Sequence, residues 1–195
     1  MSKIVYILGG PNGVGKTTQG NHFSGDKNIF FVNPDQIKID LELQHRGEIT
    51  RAQIYYVLDI YIDNALKQDD AVIIENNLHE ESSFRFLSSY VSKHRAKSIC
   101  RFYYLDDINK LIERVADRVK HLGHKVNEDT IKRRYKSSYQ LIKTHINTFD
   151  EVHFFDTSSI IPVLVFEVFD GELNYINENV SFKWSDAIID QLIDN

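Results

Sequence analysis

The chain has 195 residues, 42% of them hydrophobic, with 23 basic and 28 acidic side chains and a net charge of −5. That length fits one domain with a full-sized core, and the acidic balance argues against a general nucleic-acid-binding surface. A single cysteine, Cys100, excludes an internal disulfide. No Cys/His pattern has zinc-site spacing, no apolar run reaches membrane-span length, and the N-terminus lacks a signal-peptide core, so a cytoplasmic protein is expected.

The apolar, β-branched run Ile4-Val5-Tyr6-Ile7-Leu8 predicts a strand over residues 3–8. It leads into Gly10-Pro11-Asn12-Gly13-Val14-Gly15-Lys16-Thr17, a full G-x-x-x-x-G-K-[ST] phosphate loop, with Thr18 and a helix over 16–23 behind it. Strand, loop and helix in that order are the context in which the motif carries a mechanism. Glycines let the backbone curl so that successive N–H groups face phosphate oxygens at a helix N-terminus. Lys16 supplies a point charge near the β- and γ-phosphates, and Thr17 offers a hydroxyl to Mg²⁺. Residues 10–18 are therefore the expected nucleotide-binding segment.

A second strand over 29–32 meets Asn33-Pro34-Asp35-Gln36 and a helix over 34–43. Asn33 suits a helix cap, Pro34 the first helical position, and Asp35 the positive end of the helix dipole. Asp35 also lies at the strand edge, where a carboxylate can accept the proton of a hydroxyl attacking a γ-phosphate; both roles can hold together. Ile54, Val57, Leu58, Ile62 and Leu66 recur at helical spacing in a helix over 50–67. The strand over 71–75 ends in Glu75, before Asn76-Asn77. An acid there either holds Mg²⁺ through water, fixes a substrate hydroxyl, or simply reaches solvent.

A helix over 80–94 precedes a strand over 98–105, with Cys100 as a buried thiol. Its end, Leu105-Asp106-Asp107, resembles a Walker B strand, yet Asp106 is placed to cap the next helix and ranks below Glu75 as the magnesium-associated acid. The helix over 108–121 buries Leu111, Val115 and Val119 and sets Arg114 and Arg118 on one face. Leu122-Gly123-His124 breaks it, and a helix over 128–149 carries Lys132, Arg133 and Arg134. Two arginine-bearing helices joined by an elbow make residues 111–136 a lid over a triphosphate, with Arg118 and Arg134 its leading residues. A strand over 151–155 follows. Residues 162–169, Asp170-Gly171 and residues 172–176 then read as a hairpin, and 181–193 as a closing helix. Strand–helix alternation predicts an α/β fold: a three-layer parallel sheet with helices on both faces, and residues 162–195 appended as hairpin and helix to one domain over 1–195.

With these residues in order, nearly the whole chain resembles the zeta-toxin family of P-loop kinases. The resemblance rests on Gly9 to Thr18, Phe31-Val32-Asn33-Pro34-Asp35-Gln36-Ile37 and Ile74-Glu75-Asn76-Asn77-Leu78. It continues through Glu113 to Val119, Gly123-His124-Lys125-Val126, Ile131 to Tyr135, Phe155-Asp156-Thr157-Ser158 and the Asp170-Gly171 hairpin. It implies a kinase-type sheet, an ATP or GTP donor with Mg²⁺, and transfer of the γ-phosphoryl group to a small-molecule hydroxyl. In well-known members that acceptor is UDP-N-acetylglucosamine, and an antitoxin blocks the nucleotide site. Carried over by position, Lys16 and Thr17 bind donor and metal, Asp35 is the base, Glu75 positions substrate, and Arg118 and Arg134 neutralise charge during transfer. The chain departs from the family pattern at Asn76-Asn77, where members carry a threonine pair, and at Leu122, where they carry glycine. Two other classes remain open from the residues: an NTPase that only hydrolyses, and a nucleotide-responsive binding module. A GTPase switch is disfavoured because neither N-K-x-D nor D-x-x-G occurs.

Overall fold

Alternation along each strand divides the apolar residues between two faces of one sheet. The computed structural model describes residues 3–45, 48–122 and 126–194, the side chains of residues 119–122 excepted. In chain order the elements are β1 (Ile4–Gly9), α1 (Lys16–Lys27), β2 (Phe30–Val32), α2 (Pro34–His45), α3 (Arg51–Gln68), β3 (Ala71–Glu75) and α4 (Glu81–His94). Then come β4 (Lys97–Tyr104), α5 (Ile108–Leu122), α6 (Glu128–Thr144), β5 (Glu151–Asp156), β6 (Val163–Phe169), β7 (Glu172–Ile176) and α7 (Lys183–Ile193). The seven strands form one sheet in the order β2-β3-β1-β4-β5-β6-β7. The first five are parallel, and the hairpin strands add antiparallel at one edge.

Val5, Ile7, Val72, Ile74, Phe102 and Phe154 point to one face, where Leu58 and Ile62 of α3, Phe84 and Leu87 of α4, Ile142 of α6 and Ile188 of α7 cover them. Leu8, Ile73, Tyr103 and Phe155 point to the other, against Phe23 of α1 and Leu111 of α5. Helices thus lie on both faces, as expected of a parallel sheet. Cys100 is fully buried within β4, and burial pushes its thiol pKa up. Among the described residues no helix is long and apolar enough to cross a membrane.

The strand register aligns the chemistry-bearing ends. Leu8 pairs with Glu75 and Val32 with Ile74, so Gly9, Asn33 and Glu75 emerge side by side at the carboxyl edge of the sheet. Local caps secure the exits. Asn33 Oδ1 accepts from the Asp35 and Gln36 amides at 2.9 and 3.4 Å, with Pro34 opening α2. Thr50 and Gln53 close a capping box on α3.

Two expectations shift. Asp107, not Asp106, caps α5: its Oδ1 accepts from the Asn109 and Lys110 amides at 3.0 and 3.1 Å. One more residue lies between strand and helix than the apolar run suggested. The helix expected over 128–149 stops at Thr144, and a short 3₁₀ turn, Ile146–Thr148, carries the chain to Phe149. Ile146 and Phe149 both reach the core from this tighter turn, so burial outcompetes straight helical continuation. The Val119 side chain and the Gly123-His124 elbow lie outside the described residues.

Candidate active site

The phosphate loop owes its shape to backbone that only glycine adopts readily. Gly10, Gly13 and Gly15 have φ of 126°, 87° and 90°. At Gly10 a Cβ would also run into the Tyr103 carbonyl oxygen of β4, so the loop packs on the strand without a side chain between them. Gly15 stands at the N-cap of α1, which directs the helix's free amides into the loop.

Lys16 is almost fully buried. Its Nζ donates to Gly10 O at 2.8 Å, Pro11 O at 3.0 Å and Asn77 Oδ1 at 2.9 Å, and stands 3.8 Å from Glu75 Oε1. Burial pulls its pKa below the ordinary lysine value; Glu75 and Asp35 oppose the shift, and the charges of Arg118 and Arg134 reinforce it. Glu75 gathers the neighbouring segments. Its Oε2 accepts from Thr17 Oγ1 at 2.8 Å and from Asn33 Nδ2 at 3.0 Å. The phosphate-loop lysine and threonine, the β2 exit and the β3 exit therefore converge on one carboxylate.

A turn after β3 presents the remaining polar groups. Asn76 Oδ1 accepts from the Leu78 amide at 2.8 Å, and Leu78 takes a φ of 49°, rare for a non-glycine residue. Its side chain is fully buried beneath Gly9, where a Cβ would stand 2.5 Å from Leu78 Cδ1. This plug leaves Asn77 facing Lys16 and His79 facing a second depression. Burial, aided by the charge of Arg134, depresses the His79 pKa to about 4.

Two cavities meet here. One of about 340 Å³ is lined by the phosphate loop, Asp35, Glu75, Arg114, Arg118 and residues of the 157–162 loop. The other, of about 290 Å³, is lined by Asn33, Asp35, Lys38, Arg51, Glu75, His79 and Arg134, among others. Asp35 and Glu75 belong to both. The arginines divide. Arg118 lines the first cavity, while Arg134 lines the second and donates from NH1 to Asn12 Oδ1 at 3.1 Å. Arg114 donates to the Thr157 carbonyl at 2.8 Å. Lys132 pairs with Glu128 on an exposed face of α6.

The donor set suits a hard cation at Thr17 and Glu75, since both present oxygen. Among the described residues no cluster of three or more His, Cys, Asp or Glu is placed to hold a metal. A cation beside Thr17 would therefore take its other ligands from phosphate and water, the usual arrangement for Mg²⁺.

No protein-family model matches the chain, and no curated protein matches it in sequence. Solved structures do match in fold. A chain of the AvrRxo1-ORF1:AvrRxo1-ORF2 complex with ATP aligns over 98% of this chain with a TM-score of 0.63 and 13% identity. A chain from the PezAT chromosomal toxin-antitoxin system of Streptococcus pneumoniae aligns over 98% of this chain and 78% of its own length, with a TM-score of 0.63 and 11% identity. The fold is that of the zeta-toxin-like P-loop kinases. A putative kinase from Chloroflexus aurantiacus shares it over 70% of this chain and 78% of its own, at TM-score 0.55 and 15% identity. The chain spans 63% of the length of the AvrRxo1 complex chain.

Within this zeta-toxin-like fold, the sheet edge collects Lys16, Thr17, Asp35, Glu75 and Arg118 around one cavity, while Arg134, expected beside them, lines the other. Asn77, His79 and Arg51 were missed. Asn77 stood in the sequence as a departure from a motif, and nothing in its spacing signalled a bond to a lysine 61 positions away. Asn33 was legible as a cap but not as a donor to Glu75, because that contact depends on β2 lying beside β3.

Proposed function

We propose that this protein is a P-loop kinase that transfers the γ-phosphoryl group of ATP or GTP to a hydroxyl of a small molecule. The observation that carries this reading is the pair of cavities sharing Asp35 and Glu75. A hydrolase needs one pocket and a water; two pockets joined at a carboxylate suit a donor and an acceptor. In this reading the phosphate loop holds the triphosphate in the first cavity and the acceptor enters the second. Asp35 orients the acceptor hydroxyl and takes its proton as the oxygen bonds to phosphorus and the bond to the β-phosphate oxygen breaks. Lys16 exchanges its carbonyl partners for phosphate oxygens. Arg118 reaches the transferring group from the nucleotide side and Arg134 from the acceptor side, where fixed guanidinium charge stabilises spreading negative charge. Bound Mg²⁺, held by Thr17 and by Glu75 through water, would neutralise phosphate charge.

UDP-N-acetylglucosamine is the first acceptor to test, given the resemblance to zeta toxins, and an antitoxin-like protein is a candidate partner because the PezAT neighbour belongs to a toxin-antitoxin system. The test is a mass-spectrometric screen for phosphate transfer from Mg-ATP and Mg-GTP to nucleotide sugars, nucleosides, sugars and amino alcohols. A phosphorylated product, with little hydrolysis in its absence, is expected. Steady nucleotide hydrolysis that no acceptor diverts would instead make the protein an NTPase. Nucleotide-dependent stabilisation with no turnover would make it a binding module.

A further inference from the structure

Two hydrogen bonds cross the wall between the cavities. Lys16 and Asn12 line the first cavity and not the second; Asn77 and Arg134 line the second and not the first. Lys16 Nζ donates to Asn77 Oδ1, and Arg134 NH1 to Asn12 Oδ1. The Lys16 bond ties down a buried ammonium, which has three protons and no acceptor. All three protons are engaged, by Gly10 O, Pro11 O and Asn77 Oδ1. Glu75 does not duplicate Asn77. Its Oε1 stands 3.8 Å from Nζ, beyond hydrogen-bond reach, and its Oε2 already accepts from Thr17 and Asn33. Among the described residues Asn77 is therefore the one side chain hydrogen-bonded to the ammonium. The other two partners belong to the phosphate loop and move with it. Asn77 instead stands at the exit of β3, on a turn fixed by the Asn76 bond to the Leu78 amide and by the buried Leu78 side chain.

We propose that Asn77 is a positioning residue for phosphoryl transfer: it holds the Lys16 ammonium at the wall between the cavities, referenced to the sheet edge, while phosphate oxygens take the places of the loop carbonyls. This rests on the first cavity being the nucleotide site. A bond from an ionised donor belongs to the stronger class of hydrogen bonds, and a neutral acceptor leaves the lysine charge undiminished for phosphate. A carboxylate at the same point would neutralise that charge and repel the ligand. Asn77 thus fixes where the charge sits without spending it. Position matters because a displacement of about 1 Å at a reacting centre costs rate steeply. Without Asn77 the ammonium keeps hydrogen bonds only to its own loop, and no side-chain bond sets it against Asp35 and Glu75.

The test is a double-mutant cycle on the full chain, read by calorimetry with Mg-ATP and with inorganic tripolyphosphate, at millimolar ligand where binding is weak. Asn77→Leu should weaken both ligands about tenfold or more, the loss expected for a hydrogen bond to a charged group. In a Lys16→Ala background the same change should alter affinity by less than about twofold, because the group that Asn77 holds is gone. Asn77→Ala should repeat the pattern, which separates loss of the oxygen from any packing fault peculiar to leucine. A merely structural role for the turn after β3 would weaken both ligands equally in both backgrounds, and that result overturns the inference. So does binding by both Asn77 variants within about twofold of the parent. Failure of the parent chain to bind either ligand would instead remove the nucleotide site itself, so the two readings fail separately.

Discussion

In the proposed mechanism, Lys16 serves binding and Asp35 serves the chemistry. The lysine ammonium is tied to two loop carbonyls, Asn77 and the Glu75 charge, poised where phosphate would replace them. Lys16→Ala should weaken both nucleotide binding and turnover, measured by calorimetry and a transfer assay. Asp35 touches the cavities without holding the loop, and its backbone amide is satisfied by Asn33. Asp35→Asn should leave nucleotide affinity within about threefold while transfer falls by about 10²–10⁴, the range for losing a general base. Transfer at the parent rate would remove Asp35 from the mechanism. These two residues were legible in the sequence because a phosphate loop and a strand-edge acid are local patterns. Asn77 and His79 were not, because what they do depends on Leu78 turning the chain beneath Gly9.

At the scale of elements, the sheet edge is only as good as the loop that crosses it. Gly10→Ala would set a methyl group against the Tyr103 carbonyl at a φ of 126°. Strain there should lower the denaturation midpoint and abolish nucleotide-induced stabilisation together, by thermal melts with and without Mg-nucleotide. The helices were readable from their 3.6-residue periodicity: Leu58, Ile62 and Leu66 of α3 are all buried as their spacing foretold. Boundaries were less readable where tertiary contacts decide them. Asp106 and Asp107 are equivalent in composition, and the start of α5 at Ile108 leaves Asp107 in the cap position. The arginines of α5 and α6 were grouped as one lid by sequence. Their separation, with Arg118 at the first cavity and Arg134 at the second, follows from where the two helices pack. Arg118→Ala and Arg134→Ala should each reduce kcat more than nucleotide affinity, and Arg134→Ala should also raise the acceptor KM.

Across the whole molecule, α7 locks the end of the parallel sheet to the site loop. Trp184, 3% exposed, donates from Nε1 to Asp156 Oδ2 at 2.9 Å, and the same carboxylate holds the Ser158 amide. Trp184→Phe leaves a buried carboxylate oxygen without its donor and should cost about 1–3 kcal/mol, read from circular-dichroism denaturation curves. Acid should act through His79. Its pKa falls from 6.5 in the unfolded chain to about 4 in the folded one, through burial and the nearby charges of Arg134, Arg133 and Arg51, with Glu80 opposing. The unfolded state therefore binds the extra proton between those values. This contribution to stability is complete above pH 6.5 and is lost as pH falls towards about 4. His79→Gln should flatten part of the fall in melting temperature across that window.

Sequence by itself determined the phosphate loop, the order of strands and helices along the chain, the apolar faces, and the candidate acids Asp35 and Glu75 at two strand ends. These are short-range properties, written in spacing of two, three or four residues and in the backbone freedom of glycine. Only the tertiary structure decided which strand lies beside which, and hence that Thr17, Asn33 and Glu75 share one set of hydrogen bonds. It alone decided that two cavities meet at Asp35. Strand order depends on the summed burial of both sheet faces and on crossover packing, quantities spread over the whole chain that no local window contains.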